Sequence, residues 1–298
     1  MNATKYLIYT ACSFMLAFLS TSCEENVMDV EDDKMFNSVK GKPIDFEFNG
    51  IEEAGKTRAY GVVDPSATVW VSVDNGNTWN SYTYDSEKHL WKATGTPITW
   101  QQKTMTVYAY VRYDGGKTET TLTIQADQTN KGALLSSDFL GCREQITYTT
   151  GRISLTMKHR VAKLVVHAQV YDGDNPANLT ACTTTATFAT TGTISCGDMN
   201  VNLIKGEDNL SVIKLYRVNG EEDYDVAEQL DPLLDYDKTV TFVAYLFPLG
   251  GVNTTTNLTF KYGSLTGTTT VGYNLTTGIT LDAGACTCYT VYLSKAQV

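Results

Sequence analysis

Seven cysteines and three histidines are the residues with which this 298-residue chain could do covalent or metal chemistry. Their spacing points away from most of it. His89, His159 and His167 are scattered, and no His-x-x-x-His or His-Glu pair forms. Cys286-Thr-Cys288 would set both sulfurs on one face of a strand, with too little reach for an easy mutual disulfide. A metal would need two further ligands, and none lies close in sequence, so neither metal nor cofactor is expected. Nucleophile-elbow, phosphate-loop and dinucleotide patterns are absent, and no catalytic residue is assigned. A glycosidase would require two of the 33 acidic residues to converge in a cleft. Asp172-Gly-Asp174-Asn and Glu221-Glu-Asp-Tyr-Asp225 resemble calcium-loop fragments, but acidic surface turns have the same composition.

Cys23 stands apart because its chemistry is set by what precedes it. Lys5 and the apolar run from Leu7 to Leu19 have the layout of a targeting segment, too short for a membrane span. Leu19-Ser-Thr-Ser-Cys23 resembles the bacterial lipobox, with Ser20 where Leu is usual and Leu19 one place away. Residues 1–22 are therefore expected to be a signal peptide, Cys23 the lipidated N-terminus, and residues 23–41 an acidic tether. Five cysteines then remain, at 142, 182, 196, 286 and 288, and an odd number leaves at least one thiol unpaired. They read as small buried side chains, with a Cys182–Cys196 disulfide as the alternative.

A second processing position is Lys56-Thr-Arg58-Ala59, a polar loop with basic residues beside small ones, which suits a trypsin-like protease. A plain solvated connector has the same look. Removing Lys5 from the 23 Lys+Arg leaves 22 against 33 Asp+Glu, a net charge of about −11. Such acidity disfavours nucleic acid and anionic lipid as partners, because phosphate contacts need clustered Lys and Arg.

The elements around these positions read as strands. Ile44-Asp-Phe46-Glu-Phe48 alternates cleanly, and short alternating runs follow from Ala67 to Val73, Trp79 to Tyr84, Leu90 to Ala93, Met105 to Tyr113 and Thr118 to Ile124. Ala133 to Cys142 reads as a compact apolar loop. All four Trp, at 70, 79, 91 and 100, fall in the first half, where they suit either core packing or a sugar-stacking platform. Ser72-Val-Asp74-Asn-Gly76-Asn-Thr78-Trp79 fits the Asp-box pattern of sialidase propellers, but it occurs once, and its content is a hairpin turn. The central stretch Ile153–Val170 carries two apolar alternations of opposite parity, Ile153, Leu155 and Met157 against Ala162, Leu164, Val166, Ala168 and Val170. A strand cannot change face without an extra residue or a break, so a joint is expected between His159 and Ala162. His159 there is expected to satisfy backbone groups freed by the joint. Further runs extend from Thr183 to Leu293, and the helix candidate of note is Val226 to Asp235.

The ordered set resembles the fimbrillin family, the Mfa-like and FimA-like pilus-subunit lipoproteins of the Bacteroidota. The residues carrying it are the run ending at Cys23, Ile44 to Phe48 followed by Lys56-Thr-Arg58-Ala59, and Ile98-Thr-Trp100 before Tyr108-Ala-Tyr110. Ser137-Asp138-Phe-Leu140, Leu155-Thr-Met-Lys-His159-Arg-Val-Ala-Lys163-Leu and Gly284 before Cys288-Tyr-Thr-Val-Tyr-Leu293 complete it. The resemblance implies an all-β protein of two tandem transthyretin-like β-sandwich domains, here 42–150 and 151–298. It also implies export to the outer membrane through a lipid anchor, assembly with other fimbrial subunits as a homo- or hetero-polymer, and a host or bacterial surface ligand. In such proteins a protease removes the N-terminal segment, and a neighbour's strand fills the groove. Carried over, the cut falls at Arg58–Ala59 and the displaced strand holds Ile44, Phe46 and Phe48. If Tyr289–Leu293 belongs to the chain's own sheet, the subunit accepts a strand without giving that one, which suits a tip, accessory or anchor role. The alternative is a surface glycan-binding lipoprotein of a polysaccharide-uptake system, for which exposed, coplanar Trp would be the mark.

Overall fold

A computed structural model describes residues 24–50, 63, 65–113, 121–170, 175–195, 198–204, 206–219, 235–248, 257–264, 267–274 and 281–293. The fold is mainly β. One sheet has seven strands: β1 (Phe46–Gly50), β2 (Val69–Ser72), β3 (Asn80–Asp85), β4 (Leu90–Ala93), β5 (Thr104–Arg112), β7 (Phe139–Thr147) and β8 (Ile153–His159). Their order is β1-β8-β7-β5-β2-β3-β4, so β1 and β4 are the two edges. The sheet curls until these edges meet, with the rings of Phe48 and Trp91 5.3 Å apart.

The strand β6 (Thr121–Thr123) leaves this sheet and pairs with β12 (Thr191–Ile194), which also pairs with β13 (Val201–Leu203). In the second half, β9 (Ala162–Gln169) lies between β16 (Thr239–Leu246) and β19 (Cys286–Tyr292), with β15 (Tyr216–Arg217) outside β16. A further sheet joins β10 (Leu179–Thr184), β17 (Asn257–Ser264) and β18 (Gly267–Asn274), and β11 (Phe188–Ala189) pairs with β14 (Leu210–Ser211).

The joint expected in Ile153–Val170 falls at Arg160–Val161, between β8 and β9. Parity explains both sides of it. Leu155 and Met157 point into the core of the seven-stranded sheet, whereas Ala162, Leu164, Val166, Ala168 and Val170 line the core of the second half. Ile153–His159 thus packs with the residues before it and Ala162–Val170 with those after, so the side chains change core at Arg160–Val161. A third cluster, with Tyr108, Tyr110, Phe139, Val161, Val165, Val243 and Tyr245, joins the two halves, so β9 is buried on both faces. His159 meets a carboxylate here: Nδ1 lies 2.8 Å from Asp138 Oδ1, and the ring stacks on Tyr245. The joint's own backbone is served elsewhere, Val161 O accepting from Gly284 N and Arg160 N donating to Phe139 O.

Two helices depart from the sequence expectation. The acidic stretch read as a tether is helical over α1 (Glu24–Val39), because Phe36 and Val39 recur at helical spacing and give it one face to bury. The apolar stretch from Ala133 begins inside the short helix α2 (Lys131–Ser136), capped by Asn130 Oδ1 accepting from Ala133 N at 2.8 Å, and continues as β7. The helix candidate Val226–Asp235 lies outside the described residues up to 234.

Candidate assembly site: the N-terminal strand and its slot

Strand β1 is the position where the sequence expectation and the geometry meet. It runs parallel to β8, with Phe46 opposite Ile153 and Gly50 opposite Met157. Its run-in is held on a second element: Gly41 N donates to Trp100 O, Trp100 N to Lys42 O, and Ile44 N to Ile98 O, at 2.8 to 3.1 Å. Pro43 begins the segment where no backbone donor is needed, and Gly41 at φ +78° ends α1 in a left-handed conformation that other residues adopt at a cost. The residues of the candidate displaced strand, Ile44, Phe46 and Phe48, are all buried.

Ring packing fixes the depth of the slot. Phe46 meets Tyr82 edge-on at 5.5 Å, and Phe48 sits between Tyr82 and Trp91 at 6.1 and 5.3 Å. Tyr82 is pinned from behind, its hydroxyl accepting from Ile98 N at 3.1 Å, and burial pushes that hydroxyl's pKa up. The other side of β8 offers little to replace β1. β7 pairs with it only at Leu140–His159 and Gly141–Lys158, and the Glu144 carboxylate takes Thr156 N at 2.7 Å. Vacating the slot would leave backbone groups of Ile153–Met157 and an apolar cleft exposed, the condition that a complementing strand relieves.

Helix α1 extends the site beyond the strand, and sequence reasoning missed it. Phe36 and Val39 enter the same core as Phe46 and Phe48, and Phe36 meets Tyr148 edge-on at 5.4 Å. Tyr148 Oη donates to Asp32 Oδ1, and Lys103 Nζ donates to Asp32 Oδ2 at 2.5 Å and lies 2.7 Å from Asp33 Oδ1. The hydrogen bonds from Lys103 and then Tyr148 hold the Asp32 carboxyl below its usual range. The acidity of residues 24–33 masked the stripe, although the spacing of Phe36 and Val39 was there to read.

Cys23, Arg58 and Ala59 lie outside the described residues. So do Cys196, the acidic turn 172–174 and Glu221–Asp225. Cys142 and Cys182 are buried free thiols, as small core side chains would be, and burial pushes the Cys142 thiol up to about 12. The Cys182–Cys196 pairing is not made, since Cys182 is free. Ser72 to Trp79 forms the hairpin turn read from sequence, with Ser72 Oγ donating to Asp74 Oδ1 at 2.7 Å and Thr78 N to the same oxygen at 2.9 Å. Trp91 and Trp100 are core residues, and Trp70 and Trp79 are half-buried against Tyr110. Trp70 lies 21° and Trp79 73° from the Tyr110 plane, so the two rings are not coplanar and form no flat sugar platform.

Residues 58–298 match the fimbrillin-like family. The chain belongs to that family. Membership places this fimbrillin-like protein among fimbrial proteins of the cell surface. The match begins at Arg58, so α1 and β1 precede it. Its fold is similar to that of a candidate cell adhesion protein from Bacteroides ovatus, with a TM-score of 0.61 and 14% identity over 84% of this chain and 92% of that one. A second such protein, from Bacteroides uniformis, gives a TM-score of 0.56 and 16% identity over 86% and 94%. A comparison with curated proteins gives no match.

Proposed function

We propose that this fimbrillin-like protein is a structural, adhesive subunit of a surface fimbrium. It is lipidated at Cys23 for export to the outer membrane and matured by a cut at Arg58–Ala59. After the cut, β1 gives way to a strand from another subunit, in a homo- or hetero-polymer. The observation that carries this reading is the pairing of β1: a short edge strand, N-terminal to the cut, supplies both the ladder of Ile153–Met157 and the aromatic filling of the cleft. A strand of alternating apolar residues entering parallel to β8 reproduces both. The two halves, meeting at Arg160–Val161, are read as transthyretin-like sandwiches. β19 is engaged parallel to β9 in its own sheet, which supports a tip, accessory or anchor role.

The test is electron microscopy of surface filaments in cells with and without the protein, with gold labelling along the shaft. Label at tip or base, lost when Cys23 is replaced by Ala at the base, supports the reading. Filaments that neither carry the label nor change in its absence refute it. N-terminal sequencing of the surface form should begin at Ala59.

A further inference from the structure

The site just described has two parts that rest on different strands. β1 lies on β8, while α1 lies on the adjoining ends of β5 and β7, where Lys103 and Tyr148 are themselves joined by Tyr148 N donating to Lys103 O at 2.8 Å. The α1 seat combines an apolar floor for Phe36 and Val39 with a rim that fits a carboxylate: one ammonium and one phenol converge on Asp32 from two elements. Six residues, Lys40 to Asp45, link α1 to β1.

We infer that this surface is a bipartite docking site, and that the α1 seat decides whether the N-terminal segment stays in place once the backbone is cut. The inference rests on the proposed maturation at Arg58. A cut there frees β1 at its C-terminal end alone, because its N-terminal end remains tied to a seated helix. When β1 lifts from β8, the six-residue link holds it near the slot, so its return is intramolecular and fast compared with capture of a free strand. Cleavage therefore leaves a nicked, closed subunit. The slot opens when α1 leaves its seat or when an incoming strand outcompetes β1 during a local opening. The occupant that fits the whole surface is a segment of stated pattern: a carboxylate four residues before an aromatic, an aliphatic three residues later, then alternating apolar residues after a short link. Residues 32–48 of this chain have it.

Arg58 is the first arginine of the chain, so an arginine-specific protease acting on folded protein yields α1 and β1 on one fragment. In the wild type that fragment should co-elute with residues 59–298 on size exclusion. Phe36→Ala should shorten its residence by about a hundredfold, the cost of emptying an aromatic seat. Lys103→Glu, a surface change that leaves the core intact, should shorten it about threefold. Hydrogen exchange on the uncut protein is the second measurement, and Phe46–Gly50 amides should exchange faster in both variants while Leu164–Ala168 amides are unchanged. A fragment that leaves the nicked wild type as fast as the Phe36→Ala protein overturns the inference, as does β1 exchange insensitive to both changes. Resistance of Arg58 to the protease counts against the maturation reading alone, and the exchange measurement then decides the docking claim.

Discussion

The two halves of the jointed strand each take one parallel partner, from opposite regions of the sequence: β8 receives β1, and β9 receives β19. The pairings look alike and are supported differently. β9 has β16 opposite every residue from Ala162 to Gln169 on its other side, so it stays in a sheet whatever happens to β19. β8 has β7 opposite only its last two residues, so over Ile153–Met157 its ladder partner is β1. The side chains follow the same contrast. Phe46 and Phe48 are buried among Tyr82 and Trp91, whereas in β19 Val291 is buried, most neighbours are half-buried, and Tyr292 is 56% exposed. A parallel edge strand is thus an accessory at β19 and a structural necessity at β1. Exchange of strands is informative only where the slot must be refilled.

The largest effect expected from this difference is at Phe48. Phe48→Ala should lower stability by about 4 kcal/mol in urea unfolding, since the emptied volume is walled by rings that cannot close over it. Val291→Ala should cost about 2 kcal/mol, the burial of one aliphatic side chain. Equal losses, or a larger one at Val291, would erase the contrast. A peptide of residues 42–50 added to the Phe48→Ala protein should restore part of the loss, whereas a peptide of residues 286–293 should not.

A smaller effect tests how β19 is aimed. Gly284 precedes it at φ +72°, and a Cβ there would lie 3.0 Å from His159 O, at the joint itself. Gly284→Ala should cost about 1.5 kcal/mol through the left-handed conformation and the close approach together. The loss should appear as faster hydrogen exchange in Cys286–Tyr292, with Phe46–Gly50 unchanged. Spread of the effect to β1 would mean that the joint couples the two parallel strands.

Local patterns in the sequence carried much of this. The parity change placed the joint, the alternation Ile44-x-Phe46-x-Phe48 marked β1, and Asp74-Asn-Gly76 marked its hairpin, where Asn75 and Gly76 take positive φ. What stayed hidden depends on partners far along the chain. Nothing near Phe46 says that it will lie parallel to Ile153, and Thr121–Thr123 gives no sign that it will leave its neighbours for β12. The halves therefore exchange elements where sequence order suggested a clean division at residue 151. In α1, charge dominated the reading: an acidic composition with few aromatics is the mark of an open tether, and two well-spaced apolar residues were enough to override it. The roles given to Cys23 and Arg58 come from pattern and family.

The smallest effect is electrostatic and separates α1 from β19 by pH. Hydrogen bonds from Lys103 and Tyr148 lower the pKa of Asp32 from 3.8, so the carboxylate form is favoured in the folded chain. A lowered folded pKa means stability that is fully present above 3.8 and is lost as pH falls through the folded value. Lys103 shifts the other way, raised by Asp32 and then Asp33, so it stays charged through neutrality and does not weaken the seat there. Tyr148 is also raised, chiefly by its bond to Asp32, and stays protonated to donate it. Protection of Phe46–Gly50 against hydrogen exchange, corrected for intrinsic rates, should therefore be flat from pH 5 to 8 and fall below 3.8, whereas that of Cys286–Tyr292 should not share the step. The Lys103 and Asp32 side chains reach solvent, so the step is modest and shrinks in high salt. Lys103→Met should reduce it to the smaller share that the Tyr148 hydrogen bond carries, while leaving Phe36 seated. A step undiminished by this change would place the acid sensitivity elsewhere, with Asp127, held down to about 2 by Lys214, as the alternative group.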